Sequence, residues 1–216
     1  MIEKNYKVQL TERDIEILCF INEFGFCEMP QIEKRFGIKK PLSYRLLRRL
    51  IKAELVKHRR IFYAGYGIYY LTSSGAKFTD LPSLGTISIG QYGHQRLITD
   101  VFIQLRKQYP EAEWISERRL LHEKFYEGVG KSGHVADGIL IFPDNKKIAI
   151  EVELSLKGKE RITRILKDYS AQFSIKEVWY FCLPGMLNAM KALAADLSFI
   201  TIFNLKEFLH DERQAQ

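Results

Sequence analysis

Two strand-like apolar segments joined by a polar turn, Pro-Asp-Asn-Lys, place the strongest constraint on this 216-residue sequence. They cover residues 134–142 and 147–153, and the pattern predicts a β-hairpin. Both segments are apolar enough to be buried, yet they carry Asp137, Glu151 and Glu153. Carboxylates are seldom buried without compensation. We therefore predict that a cation or basic side chains neutralise these acids in the folded protein.

The geometry of this hairpin decides whether the acids meet. Side chains alternate along a strand, so Glu151 and Glu153 share one face. A two-residue loop would set Asp137 opposite Val152, whereas a three-residue loop sets it opposite Glu151 and a five-residue loop opposite Glu153. We predict an odd loop or a bulge, with the Asp137 carboxylate within about 6 Å of at least one of the glutamate carboxylates. Such a pair suits Mg²⁺ or Mn²⁺, with Asp137 and Glu151 as the expected metal ligands.

Positive charge is concentrated in the N-terminal third of the chain. The net charge is +7, of which residues 1–80 contribute 15 Lys and Arg against 9 Asp and Glu, or +6. Residues 34–60 contain eleven Lys and Arg and one acid, Glu54. An ordinary solvated surface intersperses both signs, so this run favours nucleic-acid binding over the alternative of a merely soluble basic helix.

The same third of the chain predicts three helices followed by two strands. Thr11 gives a capping signal for the first helix, Gly37 ends the second, and the third begins near Pro41. Residues 57–63 and 66–72 are then predicted as strands. This order is typical of a winged helix-turn-helix, in which the third helix enters the major groove and the hairpin touches the DNA backbone.

The polar residues of the third helix and of the following hairpin are the candidate DNA contacts. Arg45, Arg48 and Arg49 are expected to face the groove, and the basic residues of the hairpin to contact phosphates. Tyr44 is either a base-contacting aromatic or a packing residue. The full candidate set comprises Lys39, Lys40, Ser43, Tyr44, Arg45, Arg48, Arg49, Lys52, Lys57, Arg59 and Arg60.

The rest of the chain predicts a second domain. Residues 81–93, rich in Ser, Gly and Thr, suggest a linker between a domain of residues 1–80 and one of residues 94–216. In the second domain helices and strands alternate, which predicts a mixed sheet with helices on both faces and hence an α/β class. Outside the hairpin, the predicted segments are strands at 113–121, 177–183 and 199–203, and helices around 97–105, 162–173 and 186–195.

The order of elements around the acids is similar to that of the PD-(D/E)xK nuclease superfamily. In that comparison Glu117 lies on a first strand, Asp137 on a second, and Glu151 and Glu153 on a third that leads into a helix. The resemblance implies an endonuclease that uses Mg²⁺ or Mn²⁺ to cleave DNA, with these acids and a lysine as its catalytic set.

The lysine of that motif is absent here. Glu153 occupies its usual place, so Lys157 or Lys159 would have to reach the site from the next helix. Three outcomes remain open. The acids could form ion pairs with Arg118, Lys157 or Arg161 in a nuclease-like scaffold without activity, bind a metal without cleavage, or catalyse cleavage.

The whole chain resembles a narrower group, the replication-relaxation family, which includes MobC-like accessory proteins of plasmid mobilisation. The resemblance rests on the basic N-terminal domain and on short motifs, namely Trp114-Ile-Ser-Glu117-Arg118, Ala136-Asp137-Gly138, Ile150-Glu-Val-Glu153-Leu-Ser and Ile165-Leu-Lys-Asp-Tyr169. It implies a relaxosome component that binds double-stranded origin DNA and assists a relaxase or replication initiator. A homodimer is a further expectation. The alternatives are a metal-dependent endonuclease and a winged-helix transcriptional regulator.

Cysteine usage and hydropathy point to the cytoplasm. Cys19, Cys27 and Cys182 are odd in number and lack CxxC spacing, so we expect reduced core thiols instead of disulfides or a zinc site. No apolar run approaches the roughly 18 residues that span a bilayer, and the first residues lack an apolar leader. The sequence therefore predicts a cytoplasmic protein without a membrane partner.

Overall fold

The computed structural model describes residues 9–126, 134–155, 159–170 and 174–210. The chain divides into two compact units, Met1–Thr99 and Asp100–Gln216. Each unit combines helices with a sheet, so the predicted α/β class is confirmed. None of the helices in the described ranges is both long and apolar enough to cross a membrane.

The N-terminal unit has helices around a small antiparallel sheet with strand order β1-β3-β2. Its elements begin with α1 (Glu12–Glu23), β1 (Cys27–Glu28), α2 (Met29–Phe36) and α3 (Leu42–Lys52), and continue with β2 (Val56–Arg59), β3 (Ile68–Leu71) and α4 (Ser73–Ala76).

Local signals explain where these helices begin and end. Thr11 and Asp14 form a capping box at the start of α1, because each side chain accepts a hydrogen bond from the other residue's backbone N–H. Gly37 ends α2 in the left-handed region, at a φ of 62° that glycine adopts without strain. Of the three cysteines, Cys27 and Cys182 are buried as expected, whereas Cys19 is exposed.

The segment predicted as a linker, residues 81–93, lies within the N-terminal unit. The Leu81 side chain is buried, and its carbonyl accepts a hydrogen bond of 2.6 Å from Asn22 Nδ2. The Tyr92 ring stacks on Phe26 with centroids 5.3 Å apart. Tyr92 also begins α5 (Tyr92–Gln108), and the division between the two units falls within this helix. The buried Leu81 and the partly buried Tyr92 thus make this Ser- and Gly-rich stretch part of the N-terminal unit.

The C-terminal unit is built on a five-stranded sheet with strand order β4-β5-β6-β7-β8. Strand β5 is antiparallel to both β4 and β6, whereas β6, β7 and β8 are parallel to one another. The elements are β4 (Glu113–Ser116), α6 (Glu117–Tyr126), β5 (Gly138–Ile141), β6 (Lys147–Glu153), α7 (Lys159–Ser170), β7 (Glu177–Cys182), α8 (Leu187–Leu193), β8 (Ile200–Asn204) and α9 (Leu205–His210).

Helices cover both faces of this sheet, as predicted. On one face α7 and α8 pack against Ala149, Val178 and Tyr180. On the other face the α5 residue Phe102 contacts Trp114 edge to face, with centroids 5.3 Å apart. Alternation along the strands therefore directs successive buried side chains of this sheet to opposite faces.

The predicted strand over residues 113–121 is wrong beyond Ser116. The Ser116 hydroxyl accepts a hydrogen bond of 3.2 Å from the Arg119 N–H, which caps the first turn of α6. Glu117 is the first residue of that helix, where a negative charge interacts favourably with the helix dipole. Glu117 therefore does not lie on a strand, although its N–H donates to the Asp137 carbonyl at 3.2 Å.

Candidate nucleic-acid interface and acidic cluster

Helix α3 presents a basic surface to solvent. Arg45, Arg48 and Lys52 are exposed and lie at i, i+3 and i+7, so they form one stripe along the helix, here called the basic stripe. Leu47 and Leu50, on the opposite side, are fully buried in the core of the unit. The amphipathic pattern of the sequence thus fixes which face of α3 meets solvent.

Residues at the start of α3 extend this surface. Lys39 and Lys40 are exposed immediately before the helix. The Lys40 ammonium lies 5.3 Å from the centroid of the Tyr44 ring, within cation–π range, and the ring is 37% exposed. Tyr44 is therefore available at the surface and is not a core residue.

Two of the predicted DNA contacts have partners within the protein instead. Ser43 is buried, and its hydroxyl donates to Glu33 Oε1 at 2.6 Å. Arg49 forms an ion pair with the buried Asp14. Burial alone would raise the pKa of Asp14, but hydrogen bonds from Thr11 and Arg49 lower it below its ordinary value. Ser43 and Arg49 therefore hold α3 in place, and we remove them from the set that faces DNA.

Strand β2 and the residue after it carry the second basic group. Lys57 pairs with Tyr70 and Arg59 with Ile68 across the hairpin, and Lys57, Arg59 and Arg60 are all exposed. The strands are shorter than predicted, because residues 60–67 form a loop between β2 and β3.

The loop of residues 60–67, here called the aromatic loop, contains exposed aromatic rings that the prediction of DNA contacts from charge did not include. Phe62, Tyr63 and Tyr66 are 45%, 96% and 56% exposed. The signal that could have found them is the density of aromatics next to Gly65 and Gly67, because a buried strand would not place rings beside turn residues.

The hairpin in the C-terminal unit has the odd loop that the sequence analysis predicts. Ile141 pairs with Lys147, and the Phe142 N–H donates to the Lys146 carbonyl at 2.9 Å, which leaves a three-residue loop ending at Asn145. Asn145 adopts a φ of 64°, the left-handed conformation typical of the last residue in such loops. Continuing this register by one residue beyond the pair Gly138–Ile150 sets Asp137 opposite Glu151.

The three acids of this hairpin, here called the acidic cluster, are buried on the face covered by α7. Asp137, Glu151 and Glu153 are 7%, 6% and 6% exposed. Asp137 Oδ2 accepts a hydrogen bond of 2.7 Å from the Val152 N–H, and Glu153 Oε1 accepts one of 3.3 Å from the Ser155 N–H. Backbone donors thus satisfy part of the acceptor capacity of both carboxylates.

Glu151 has two side-chain partners. His134 Nε2 lies 2.6 Å from Glu151 Oε1, and the Tyr169 hydroxyl donates to the same oxygen. Burial raises the pKa of Glu151 to about 7; the hydrogen bond to His134 opposes this shift and the charge of Asp137 adds to it. Burial and the nearby Glu151 likewise raise the pKa of Tyr169. Glu151 is therefore a carboxyl group that is held neutral more readily than an exposed one.

The structure brings only part of the predicted catalytic set together. Asp137 faces Glu151, and Glu153 follows two positions later on the same side of β6. Glu117 begins α6, and Lys157 lies outside the described residues. Among the residues that the structure describes, no group of three or more His, Cys, Asp or Glu side chains is arranged to hold a metal ion.

Sequence reasoning did not assign a role to His134 or Tyr169. His134 precedes Asp137 by three residues, and Tyr169 shares a buried helix face with Ile162 and Leu166. A polar hydroxyl on an otherwise apolar helix face is a usable signal that a buried acceptor lies opposite.

Comparisons of the chain with models of protein families, with curated proteins and with solved structures find no match.

Proposed function

We propose that this protein is a DNA-binding accessory factor of plasmid or mobile-element replication and mobilisation. In this proposal the N-terminal unit binds double-stranded origin DNA, and the protein assists a relaxase or replication initiator in a relaxosome. The observation that carries the DNA-binding part is the basic stripe, Arg45, Arg48 and Lys52, exposed on the helix that a winged helix-turn-helix places in the major groove.

The order of elements supports this assignment. In the N-terminal unit the order α1-β1-α2-α3-β2-β3, with an antiparallel sheet, agrees with a winged helix. Lys57, Arg59 and Arg60 are then located where the hairpin would contact phosphates. The role at an origin rests on the resemblance to the replication-relaxation family, through the motifs around Glu117, Asp137 and Glu151.

We infer that the C-terminal unit is a nuclease-like scaffold without catalytic activity. The order α5-β4-α6-β5-β6-α7-β7 agrees with the PD-(D/E)xK arrangement apart from α6, which lies between the first two strands. However, Glu153 replaces the motif lysine, and Glu151 is hydrogen-bonded to His134 and Tyr169. A carboxylate satisfied in this way has less to gain from a metal ion.

A metal-dependent endonuclease is the second candidate, and one observation favours it. The three-residue hairpin loop sets Asp137 opposite Glu151, which is the pairing that a two-carboxylate metal site requires. An endonuclease would nick or linearise plasmid DNA in the presence of Mn²⁺, and Asp137→Ala would abolish that cleavage.

The DNA-binding proposal is tested by fluorescence anisotropy with a labelled duplex across a range of salt concentrations. Replacing Arg45 or Arg48 with Ala should cost about 1 to 3 kcal/mol of binding free energy and relax base preference locally. Arg59→Ala or Arg60→Ala should weaken binding to all sequences alike and lower the salt slope by about one unit.

A matched control is available in the other unit. Arg164 is exposed on α7, so Arg164→Ala removes the same charge without touching α3 or β2. Loss of affinity in this control equal to that of Arg45→Ala would show that only overall charge matters. An unchanged affinity in a variant with both Arg45 and Arg48 replaced would refute the placement of α3 in the groove.

A further inference from the structure

The aromatic loop exposes two tyrosine rings to solvent. Tyr63 is 96% exposed and Tyr66 is 56% exposed, although tyrosine rings usually bury much of their surface. Two such rings within four residues of one loop form an exposed apolar surface of the kind that binding partners cover.

One ring of this loop anchors it to the rest of the N-terminal unit. The Phe62 ring meets the Tyr92 ring edge to face, with centroids 5.1 Å apart. Tyr92 in turn stacks on Phe26 and donates its hydroxyl hydrogen to Glu28. These contacts hold Phe62 in place, and the neighbouring Tyr63 therefore projects into solvent from an anchored part of the loop.

The other end of the loop is fixed by a close approach. The His58 ring packs on Tyr69, with centroids 4.6 Å apart, and it also lies against the backbone of Gly67. A Cβ at position 67 would overlap the His58 imidazole unless that ring moved, so glycine permits this close approach. Both ends of the loop are therefore held while Tyr63 and Tyr66 remain exposed.

Positive charge flanks these rings. Arg59 immediately precedes the loop and Arg60 is its first residue; both are exposed, and Lys57 lies two residues before Arg59 on the same strand. Cationic side chains beside stackable aromatics are the combination that binds a phosphate backbone and its unpaired bases at once.

We propose that the aromatic loop binds unpaired bases at the edge of a duplex, with Tyr63 stacking on the first exposed base and Arg59 and Arg60 contacting the adjacent phosphates. This inference rests on the proposed DNA binding by the N-terminal unit and adds a preferred substrate, a junction between double- and single-stranded DNA. It gives the protein a way to hold an origin open after the strands separate.

The test compares the full-length protein on a labelled duplex and on a fork made from the same duplex with non-complementary arms. Wild type should bind the fork more tightly than the duplex. Tyr63→Ala should lose about fivefold or more of fork affinity, as expected for one stacked base, with duplex affinity unchanged. Tyr63→Phe should retain fork binding, and Tyr63→Leu should lose it, since stacking needs a ring and not merely apolar area.

A fork with 2-aminopurine as its first unpaired base gives an independent readout. Stacking on Tyr63 should change the fluorescence of this base with wild type and Tyr63→Phe, but not with Tyr63→Ala. Phe78→Ala is the control, because Phe78 is 45% exposed and lies outside the aromatic loop.

The outcomes separate this inference from the function on which it rests. Duplex binding that depends on Arg45, combined with equal affinity for the fork, would overturn the aromatic-loop inference alone. An equal loss on both DNAs in Tyr63→Ala would also overturn it, since the ring would then act on intact duplex. Failure of wild type to bind either DNA would overturn the proposed function and this inference together.

Discussion

Replacing Glu151 with Gln tests whether burial controls the ionisation of the acidic cluster. Glutamine keeps an oxygen that can accept from Tyr169, but it carries no charge at any pH. In the wild-type protein burial raises the pKa of Glu151 from 4.5 to about 7. At about 1.4 kcal/mol for each unit of pKa difference between folded and unfolded states, this amounts to about 3 kcal/mol.

The direction of the effect follows from which state holds the proton. Because the folded pKa exceeds the unfolded one, the stabilising contribution is complete below pH 4.5 and is lost as the pH rises through 7. Wild type should therefore lose about 3 kcal/mol of unfolding free energy between these limits that Glu151→Gln does not lose. A constant offset of about 1 kcal/mol for each altered hydrogen bond changes the level of the variant's curve but not its slope.

The assay is urea unfolding followed by tryptophan fluorescence from pH 5 to pH 9. The sequence has two tryptophans, Trp114 and Trp179, and both lie in strands of the C-terminal unit, so the signal reports on that unit. Glu113→Gln is the matched control, because Glu113 is exposed on β4 of the same sheet. Parallel pH profiles for wild type and Glu151→Gln would refute the reasoning.

Two further predictions concern buried carboxylates. Arg49→Ala should lower the unfolding free energy of the N-terminal unit by about 1 kcal/mol. This value is at the low end of the range for a hydrogen bond to a charged group, because the Arg49 guanidinium is partly exposed. Faster hydrogen exchange of the α1 amides would show the loss. Because the pKa of Asp14 is lowered, wild type should lose more stability than Arg49→Ala on acidification below pH 3.8, and similar losses would contradict this. Millimolar Mn²⁺ should leave the melting temperature of wild type unchanged, whereas a rise that Asp137→Ala abolishes would indicate a bound cation.

Local signals in the sequence predicted the elements that depend on neighbouring residues. The capping pair Thr11 and Asp14 located the start of α1, and Gly37 located the end of α2. The register argument for the hairpin also succeeded, because it rests on strand alternation and on an odd loop ending at Asn145. These features need no knowledge of distant contacts.

The predictions were wrong or incomplete where a local pattern is compatible with both a strand and a helix, or where the hydrogen-bond partner of a residue is distant in sequence. Alternation after Glu113 resembled a strand, but the Ser116 cap starts a helix. The partners of Glu151 could not be predicted, because Tyr169 lies 18 residues away on a helix whose docking depends on the whole sheet. In the same way Arg49 was predicted as a DNA contact, because its ion pair with Asp14, 35 residues away, forms only in the folded chain.

The packing of Tyr92 and Leu81 determines how this chain can be dissected. A fragment that stopped at residue 80 would expose the Phe26 ring and leave the Asn22 amide without the Leu81 carbonyl. Such a fragment would have an incomplete core, and we expect it to be less stable than a fragment that keeps Leu81 and Tyr92. A self-sufficient N-terminal piece therefore has to end inside α5, beyond its first turns, and not in the glycine- and serine-rich stretch before it.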